Sequence, residues 1–411
     1  MKPTIDVEDP GMRLEDYDFE LPTRCIAQTP TARREDARLM LLDRRSGRVV
    51  EAGPAHRVQS LPRWLRAGDL LVLNTTRVLP ARLVGRKASG GAAEALLLGA
   101  APASGDRGSG GSAGAFRALL RCRGRVRVGL ELQLGVDGRL PAHVAAVHER
   151  GEVTLVFDPN RDPYAEGVAP LPPYIHRPAA PSTTLRSVDE GPAVGAVEPD
   201  PTALDLERYQ TVYARTPGAI AAPTAGLHLS HGLLDALRRS GVETAEVVLH
   251  VGAGTFRPLD AGALASGRLH AEAYQLSEQT AEAIERTRGR GGRVIAVGTT
   301  TTRVLESRAT DEGGVRPGTG ETDLFLRPGG PPFRVVDGLL TNFHLPRSSL
   351  LLLVAAFVGR EPLLAAYQRA IDEGFRFYSY GDAMLILPVL EQAVLDEAVP
   401  EETVLGDAGR G

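Results

Sequence analysis

The chain has 411 residues, 43 % of them apolar and 24 % charged, with a formal net charge of −4. That composition fits a soluble globular protein with one large domain and a smaller one or an insertion, and it excludes wholesale disorder. The acidic balance excludes a globally basic nucleic-acid coat protein, though a local basic patch can still meet a phosphate backbone.

Residues 1–18 (MKPTIDVEDPGMRLEDYD) are acidic and hold no apolar core, so they do not read as a signal peptide. Cys25 and Cys122 form neither a CxxC pair nor a Cys/His cluster. They signal no metal site and fit a reducing, cytoplasmic location. Among the 47 basic residues only Lys2 and Lys87 are lysines. With many Ala, Gly and Pro, this indicates compositional bias and dilutes the information in any single Arg.

Between residues 69 and 157 the pattern is β. Short runs at 69–74 (DLLVLN), 78–84, 94–98, 117–128 and 152–157 are broken by Gly, with few helical periods, which predicts a small antiparallel barrel or sheet. Within it Arg121, Arg123, Arg125 and Arg127 alternate with Cys122, Gly124 and Val126. A strand would put all four guanidinium groups on one face. With Arg82, Arg86, Lys87 and Arg117 nearby, that face is either a surface that tracks RNA or a solvated sheet face. Residues 99–115, rich in Gly, Ala and Ser, read as a long hairpin loop or flexible insertion. Residues 178–202, rich in Pro, Ala and acidic side chains, read as a linker or surface excursion.

From about residue 203 helices and strands alternate. Ser230 is an N-cap for a helix with Leu233, Leu234 and Leu237 on one side, stopped at Gly241. Residues 243–251 read as a strand, Ser277 caps a helix with Ala281 and Ile284 inward, and 293–298 (RVIAVG) is a short buried strand. The alternation predicts a three-layer α/β domain. The longest apolar run, 350–358, is too short to span a bilayer.

Five features carry chemistry. Residues 249–258 (LHVGAGTFRP) put Gly252 and Gly254 in a turn after a strand, either a plain tight turn or a place where backbone approaches a nucleoside; the third Gly of a dinucleotide fingerprint is missing. In residues 293–307 (RVIAVGTTTTRVLES), Thr299 to Thr302 open a helix, as ordinary caps or as a carboxylate or phosphate site, with Arg303 beside them. His228, His250, His270 and His344 sit beside strand ends and Gly/Pro turns; each is a structural histidine or a proton carrier. Glu272 follows His270 by two residues, and Asp382 lies in FRFYSYGDAM, as a turn cap or in a pocket where Phe375, Phe377, Tyr378 and Tyr380 stack a purine-like ring. The Arg alternation is the fifth. No HExxH or metal triad is present.

These segments, with YDFELPTRCIAQTP (17–30), GDLLVLNTTRVLPARL (68–83), LPPYI (171–175), ERYQTVYARTPGAIAAPTAGLH (207–228) and VDGLLTNFHLPRSS (336–349), stand in one order along the chain. In this the chain resembles the S-adenosylmethionine:tRNA ribosyltransferase-isomerases of queuosine biosynthesis. The resemblance implies a large α/β catalytic domain (13–78 with 160–395), an inserted β-barrel domain (79–159) and a tail (396–411). It implies transfer of the ribose of S-adenosylmethionine to the aminomethyl group of 7-aminomethyl-7-deazaguanine in a tRNA anticodon. The sugar becomes an epoxycyclopentane, and adenine and methionine leave. No metal or further cofactor is implied, and the family is expected to act as a monomer.

On that reading His228, His250, His270, Glu272, His344 and Asp382 are the candidate acids and bases. Gly252, Gly254, Thr299, Thr300, Arg303, Tyr378 and Tyr380 are the candidate substrate contacts, and Arg77, Arg82, Arg121, Arg123 and Arg125 the candidate RNA contacts. The chain departs from the family at Ala271, where a Ser is common, and at Arg327, where an aromatic residue is common. A methyltransferase using the same substrate, or an RNA-binding protein without chemistry, are the competing readings. The first predicts S-adenosylhomocysteine as product, and the second no consumption of S-adenosylmethionine.

Overall fold

The computed structural model describes residues 12–53, 56–101, 114–177, 201–252, 254, 259 and 261–388. Most of 99–115 and 178–202, Ala253 and residues 255–258 of the Gly turn, and the 396–411 tail lie outside them.

The strands are β1 (Leu39–Asp43), β2 (Val49–Glu51), β3 (Leu70–Asn74), β4 (Thr76–Val78), β5 (Arg82–Lys87), β6 (Ala92–Ala100), β7 (Ala115–Cys122), β8 (Glu131–Leu134), β9 (Leu140–Val147), β10 (Glu152–Phe157), β11 (Thr216–Ala219), β12 (Glu243–Leu249), β13 (Arg268–Leu276), β14 (Val294–Val297), β15 (Gly318–Leu324), β16 (Gly338–Asn342) and β17 (Ala383–Leu387). The α-helices are α1 (Pro201–Arg208), α2 (His231–Arg239), α3 (Ala261–Ser266), α4 (Glu278–Gly289), α5 (Thr299–Ser307), α6 (Ser349–Val358) and α7 (Arg360–Asp372).

Nine strands make one mixed sheet in the order β15-β13-β12-β3-β14-β16-β17-β1-β2. Its central strands are continuous apolar runs because both faces are covered. Leu70, Val72, Val294, Ala296, Met384 and Ile386 face one core, packed with Ile284 of α4, Val304 of α5, Leu352 of α6 and Tyr367 of α7. The alternate residues Leu71, Leu73, Ile295, Val297, Ala383 and Leu385 face the other, with Leu233, Leu234 and Leu237 of α2. This is the period-two rule applied twice, and it makes the body a helix–sheet–helix sandwich. The Ser230 and Ser277 hydroxyls accept from the amides of Leu233 and Thr280, as N-caps do.

The second unit is a closed antiparallel barrel, β10-β7-β6-β5-β8-β9. Leu83, Ala95, Leu97, Ala118, Leu134, Leu140, Val144 and Leu155 fill its interior, so it is a packed core and not a pore. The 78–84 run is broken between β4 and β5: Pro80 lies there and has no N–H to give a ladder. The 117–128 run is also shorter than its composition suggests. β7 ends at Cys122, and Gly124 turns the chain at a φ of 86°. Arg123, Arg125 and Arg127 therefore lie in an exposed loop and not on one strand face, and only Arg121 remains on the strand.

Candidate active site

β12, β3, β14 and β16 run parallel, so their carboxyl ends share one edge of the sheet. β17 is antiparallel to β16, and β1 is parallel to β17, which brings their amino ends to the same edge. Ligand crevices of α/β sheets form at such an edge. A cavity of about 510 Å³ opens there, walled by the segments after β12, β14 and β16 and by Tyr174, Tyr209, Tyr378 and Ser379. A second cavity of about 260 Å³ adjoins it, with Arg303, Ser349 and Leu350 common to both. Leu98 and Glu152 of the barrel line this second space, opposite Gly252, Gly254, His270 and Glu272.

The N-terminus of α5 forms one wall of the larger cavity. Gly298 caps it without a side-chain hydrogen bond, so the helix end keeps its partial positive charge for an anion. The four threonines divide their work. Thr301 and Thr302 bond back to the carbonyls of Val297 and Gly298, whereas Thr299 and Thr300 line the cavity. Asn74, at the end of β3, donates to Thr300 Oγ1 (3.1 Å) and to the Leu249 carbonyl (3.1 Å), and its Oδ1 accepts from the Leu249 and Thr76 amides. This fully buried amide thus ties β3, β12 and α5 together.

Arg303, one turn into α5, is buried and lines both cavities. Its Nη1 pairs with the Glu272 carboxylate, and Nε and Nη2 donate to the carbonyls of Leu324 and Thr322. Glu272 Oε1 also accepts the Gly252 amide at 2.9 Å. The first glycine of the turn therefore orients Glu272. A charge pair this deeply buried is tolerated because further hydrogen bonds satisfy both partners.

The four histidines fall into two classes. His228 and His344 are buried, and burial pushes both imidazoles down to about 3, so they are neutral at physiological pH. His228 Nε2 meets Asn342 Nδ2 at 3.0 Å, and Asn342 also donates to the Tyr378 carbonyl and accepts from Thr224. His344 Nε2 meets Thr341 Oγ1 at 2.8 Å, and its ring lines the larger cavity. His250, just beyond β12, is half-buried; desolvation lowers its pKa, and its Nδ1 meets Thr76 Oγ1 at 2.8 Å. Its ring packs closely on the backbone of Gly218, where a Cβ would lie 2.7 Å from the imidazole. His270 is exposed in the second cavity and touches Gly254, where a Cβ would come within 2.8 Å of Cδ2. Close approach of side chain to backbone thus explains two glycines of the motif segments.

The aromatic segment at 375–384 is split by the fold. Phe375 and Phe377 are buried in the core with Phe343 and Tyr367. Tyr378, at a φ of 71°, reaches the cavity and stacks on Tyr174 with centroids 4.4 Å apart. Tyr380 points elsewhere, with its hydroxyl on Asp205, which Arg177 also holds bidentately. Asp382 is no part of either cavity lining: its carboxylate takes the amides of Arg38 (2.9 Å) and Arg376 (2.7 Å) and fixes the entry to β17. Arg82 is bonded to Glu94, whereas Arg77, Arg121, Arg123 and Arg125 are exposed. Sequence patterns miss Asn74, Thr76, Tyr174, Tyr209, Asn342 and Ser379, because each acts across long separations in the chain.

No group of three or more His, Cys, Asp or Glu among the described residues is arranged to hold a metal ion. Two curated relatives, each called S-adenosylmethionine:tRNA ribosyltransferase-isomerase, are similar over nearly their whole length. The one from Gloeobacter violaceus is 47 % identical over 93 % of this chain and 98 % of its own. The one from Syntrophotalea carbinolica is 44 % identical over 92 % and 100 %. A crystal structure of an S-adenosylmethionine tRNA ribosyltransferase from Thermotoga maritima is 33 % identical, covers 90 % of this chain and all of that one, and gives a TM-score of 0.48. The family model described as queuosine biosynthesis protein matches residues 14–386, and the chain belongs to that family.

Proposed function

We infer that the chain transfers the ribose of S-adenosylmethionine to the aminomethyl group of 7-aminomethyl-7-deazaguanine in tRNA and isomerises it, giving epoxyqueuosine-tRNA, adenine and methionine. The observation that carries this reading, beside the family, is the pair of adjoining cavities meeting at Arg303. One is enclosed by the α/β body and suits a small molecule with an anionic end. The other is bordered by the barrel and suits a base presented on a larger partner.

In this reading Thr299, Thr300 and the α5 N-terminus hold the methionine carboxylate, and Arg303 supports it with the N–H groups that Glu272, Leu324 and Thr322 leave over. Gly252 and Gly254 leave room for the sugar. The sulfonium acidifies the neighbouring ribose carbon, and a base must take that proton; an acid must assist the departing adenine. His270, which lines the second cavity beside Gly254, and His250, which lines neither cavity but directly precedes Val251 and Gly252 and is only half-buried, are assigned to these transfers, each worth about 10²–10⁴-fold. His228 and His344, held neutral and hydrogen-bonded, position the Asn342 and Thr341 walls. Asp382 and Tyr380 support the fold of the segment that carries Tyr378. The exposed Arg77, Arg121, Arg123 and Arg125 meet the tRNA backbone. The protein works as a cytoplasmic monomer, with S-adenosylmethionine as co-substrate and no metal.

Mass spectrometry of a reaction of purified protein, S-adenosylmethionine and tRNA bearing the aminomethyl base tests this. An epoxide-bearing nucleoside with stoichiometric adenine and methionine is expected. Formation of S-adenosylhomocysteine instead would assign the chain to methyl transfer.

A further inference from the structure

Two buried asparagines set the polarity of two threonines that line the larger cavity. Asn74 has its orientation fixed by backbone groups: Oδ1 accepts the Leu249 and Thr76 amides, and Nδ2 donates to the Leu249 carbonyl. The second Nδ2 proton goes to Thr300 Oγ1, so the Thr300 hydroxyl keeps its own proton to give. Asn342, at the end of β16, is held between Thr224 and His228, the two ends of one short helical turn. The Tyr378 carbonyl can only accept, so the group 3.0 Å from it is the Asn342 amino group. The other proton of that group points at His228 Nε2, 3.0 Å away. Burial holds the His228 ring neutral, so Nε2 offers a lone pair and the ring proton sits on Nδ1. Asn342 Oδ1 is left to accept from Thr224 Oγ1 at 2.9 Å. The one hydroxyl proton of Thr224 is thereby committed, and its oxygen has only lone pairs left to offer.

We propose that Thr224 is a substrate-contacting residue whose hydroxyl oxygen accepts a hydrogen bond from the α-ammonium of S-adenosylmethionine, with its polarity set by the chain from Thr224 through Asn342 to His228. The proposal rests on the reading of this cavity as the S-adenosylmethionine site. Thr224 and Thr300 both border the start of α5. A Cβ on Gly298 would meet Cβ of Ala225, the residue after Thr224, at 3.6 Å and Thr300 Oγ1 at 3.8 Å. A donor hydroxyl and an acceptor hydroxyl beside one point match the carboxylate and the ammonium that an amino acid carries on one carbon. The described residues lining this cavity include Arg303 and Arg347 but no carboxylate, so a cation there depends on neutral acceptors. The ribose hydroxyls and the adenine amine are the other donors of this substrate. The ammonium is favoured because it alone shares a carbon with the carboxylate that Thr300 meets. With its proton already committed, the Thr224 hydroxyl has no need to reorient when the cation arrives.

One test needs only the wild-type chain. Nitrogen NMR of isotopically labelled histidine, with His228→Gln to assign the signal, should show the His228 proton on Nδ1. A proton on Nε2 reverses the chain of hydrogen bonds and overturns the proposal, whether or not any Thr224 variant folds. The other test is calorimetric titration of wild type, Thr224→Val and Thr224→Ser. The ligands are S-adenosylmethionine and an analogue in which hydrogen replaces the α-amino group. We expect S-adenosylmethionine to bind about 10- to 100-fold more weakly to Thr224→Val and to keep its affinity for Thr224→Ser. The analogue should bind wild type and Thr224→Val equally well. Unchanged affinity of Thr224→Val for S-adenosylmethionine overturns the proposal. An equal loss for parent and analogue also overturns it, and assigns the hydroxyl to the fold of the wall. A wild type that shows the expected differences but forms no epoxide-bearing nucleoside would sink the proposed reaction and leave this contact standing.

Discussion

Arg303 and Glu272 form a buried ion pair at the junction of the two cavities, and each partner is only 7 % exposed. The pair links the first turns of α5 to β13, and the Gly252 amide fixes its carboxylate end. Two charges at that depth are kept because each satisfies the other, so removing one leaves the other stranded.

Glu272→Ala is therefore expected to cost about 3–5 kcal/mol of stability, read from denaturant midpoints. Glu272→Gln, which keeps one acceptor in place of two, should cost less than Ala, yet lower turnover by loosening the guanidinium. Equal stability losses in the two variants would assign the whole cost to the stranded Arg303 charge and none to the hydrogen bonds of the carboxylate.

The α5 threonines permit a sharper separation of fold from binding. Thr300→Val removes the acceptor for Asn74 and one cavity hydroxyl. Thr302→Val removes only a back-bond within the helix. Affinity for S-adenosylmethionine should drop about 3- to 10-fold in the first and stay within error in the second, by calorimetric titration. The opposite ranking would move the anion site away from this helix end.

Both buried histidines make stability depend on pH with a definite sign. The imidazoles of His228 and His344 lie at about 3 in the folded chain and near 6.5 when unfolded. Between those values the unfolded state binds more protons. Their contribution is thus fully present above about pH 6.5 and is lost as pH falls toward 3, at about 1.4 kcal/mol per pH unit for each histidine. Urea midpoints measured from pH 7 to pH 5 should fall in wild type and fall less steeply in His228→Gln or His344→Gln. Parallel slopes would mean that these side chains titrate normally.

His250 should show its depressed pKa in kinetics. A base works in its neutral form, and desolvation lowers the pH at which that form is lost. The acid limb of kcat/KM for S-adenosylmethionine is expected below pH 6.5, the ordinary imidazole value. Thr76→Val, which removes the partner of Nδ1, should reduce kcat while leaving KM nearly unchanged. His250→Gln should lose about 10²–10⁴-fold in turnover with the melting midpoint retained. A variant that keeps wild-type turnover would remove His250 from the proton transfers.

What could be read ahead of the structure was local. The caps at Ser230 and Ser277 were legible because a cap is a contact over three residues. The barrel was legible because Gly-broken β runs need no distant partner to be seen. The nine-stranded order was not, since β3 pairs with β12 and β14, which lie far along the chain, and no periodicity encodes that. The same holds at the site. Thr299 and Thr300 announce themselves as a run, whereas Asn74 acts across 175 residues to Leu249 and leaves no local mark. Asp382 misleads for the converse reason: its aromatic surroundings suggest a pocket, but its oxygens are spent on two backbone amides.

The arginines after β7 give the last prediction. Arg123, Arg125 and Arg127 sit in an exposed loop where the side chains can follow an irregular phosphate chain, and a loop does not impose the fixed spacing of a strand face. Their contribution should then be electrostatic and independent of sequence. Replacing all three by Ala should weaken tRNA binding, and the slope of log K against log salt should shrink by about 0.7–0.9 for each phosphate that is no longer neutralised. Affinity for S-adenosylmethionine should not change, since none of the three lines either cavity. Arg82→Ala serves as the comparison: its guanidinium is committed to Glu94, so it should alter the salt slope less than any one loop arginine. If the triple variant kept the wild-type slope, the loop would be a solvated end of the barrel, and the RNA surface would have to lie elsewhere on the molecule.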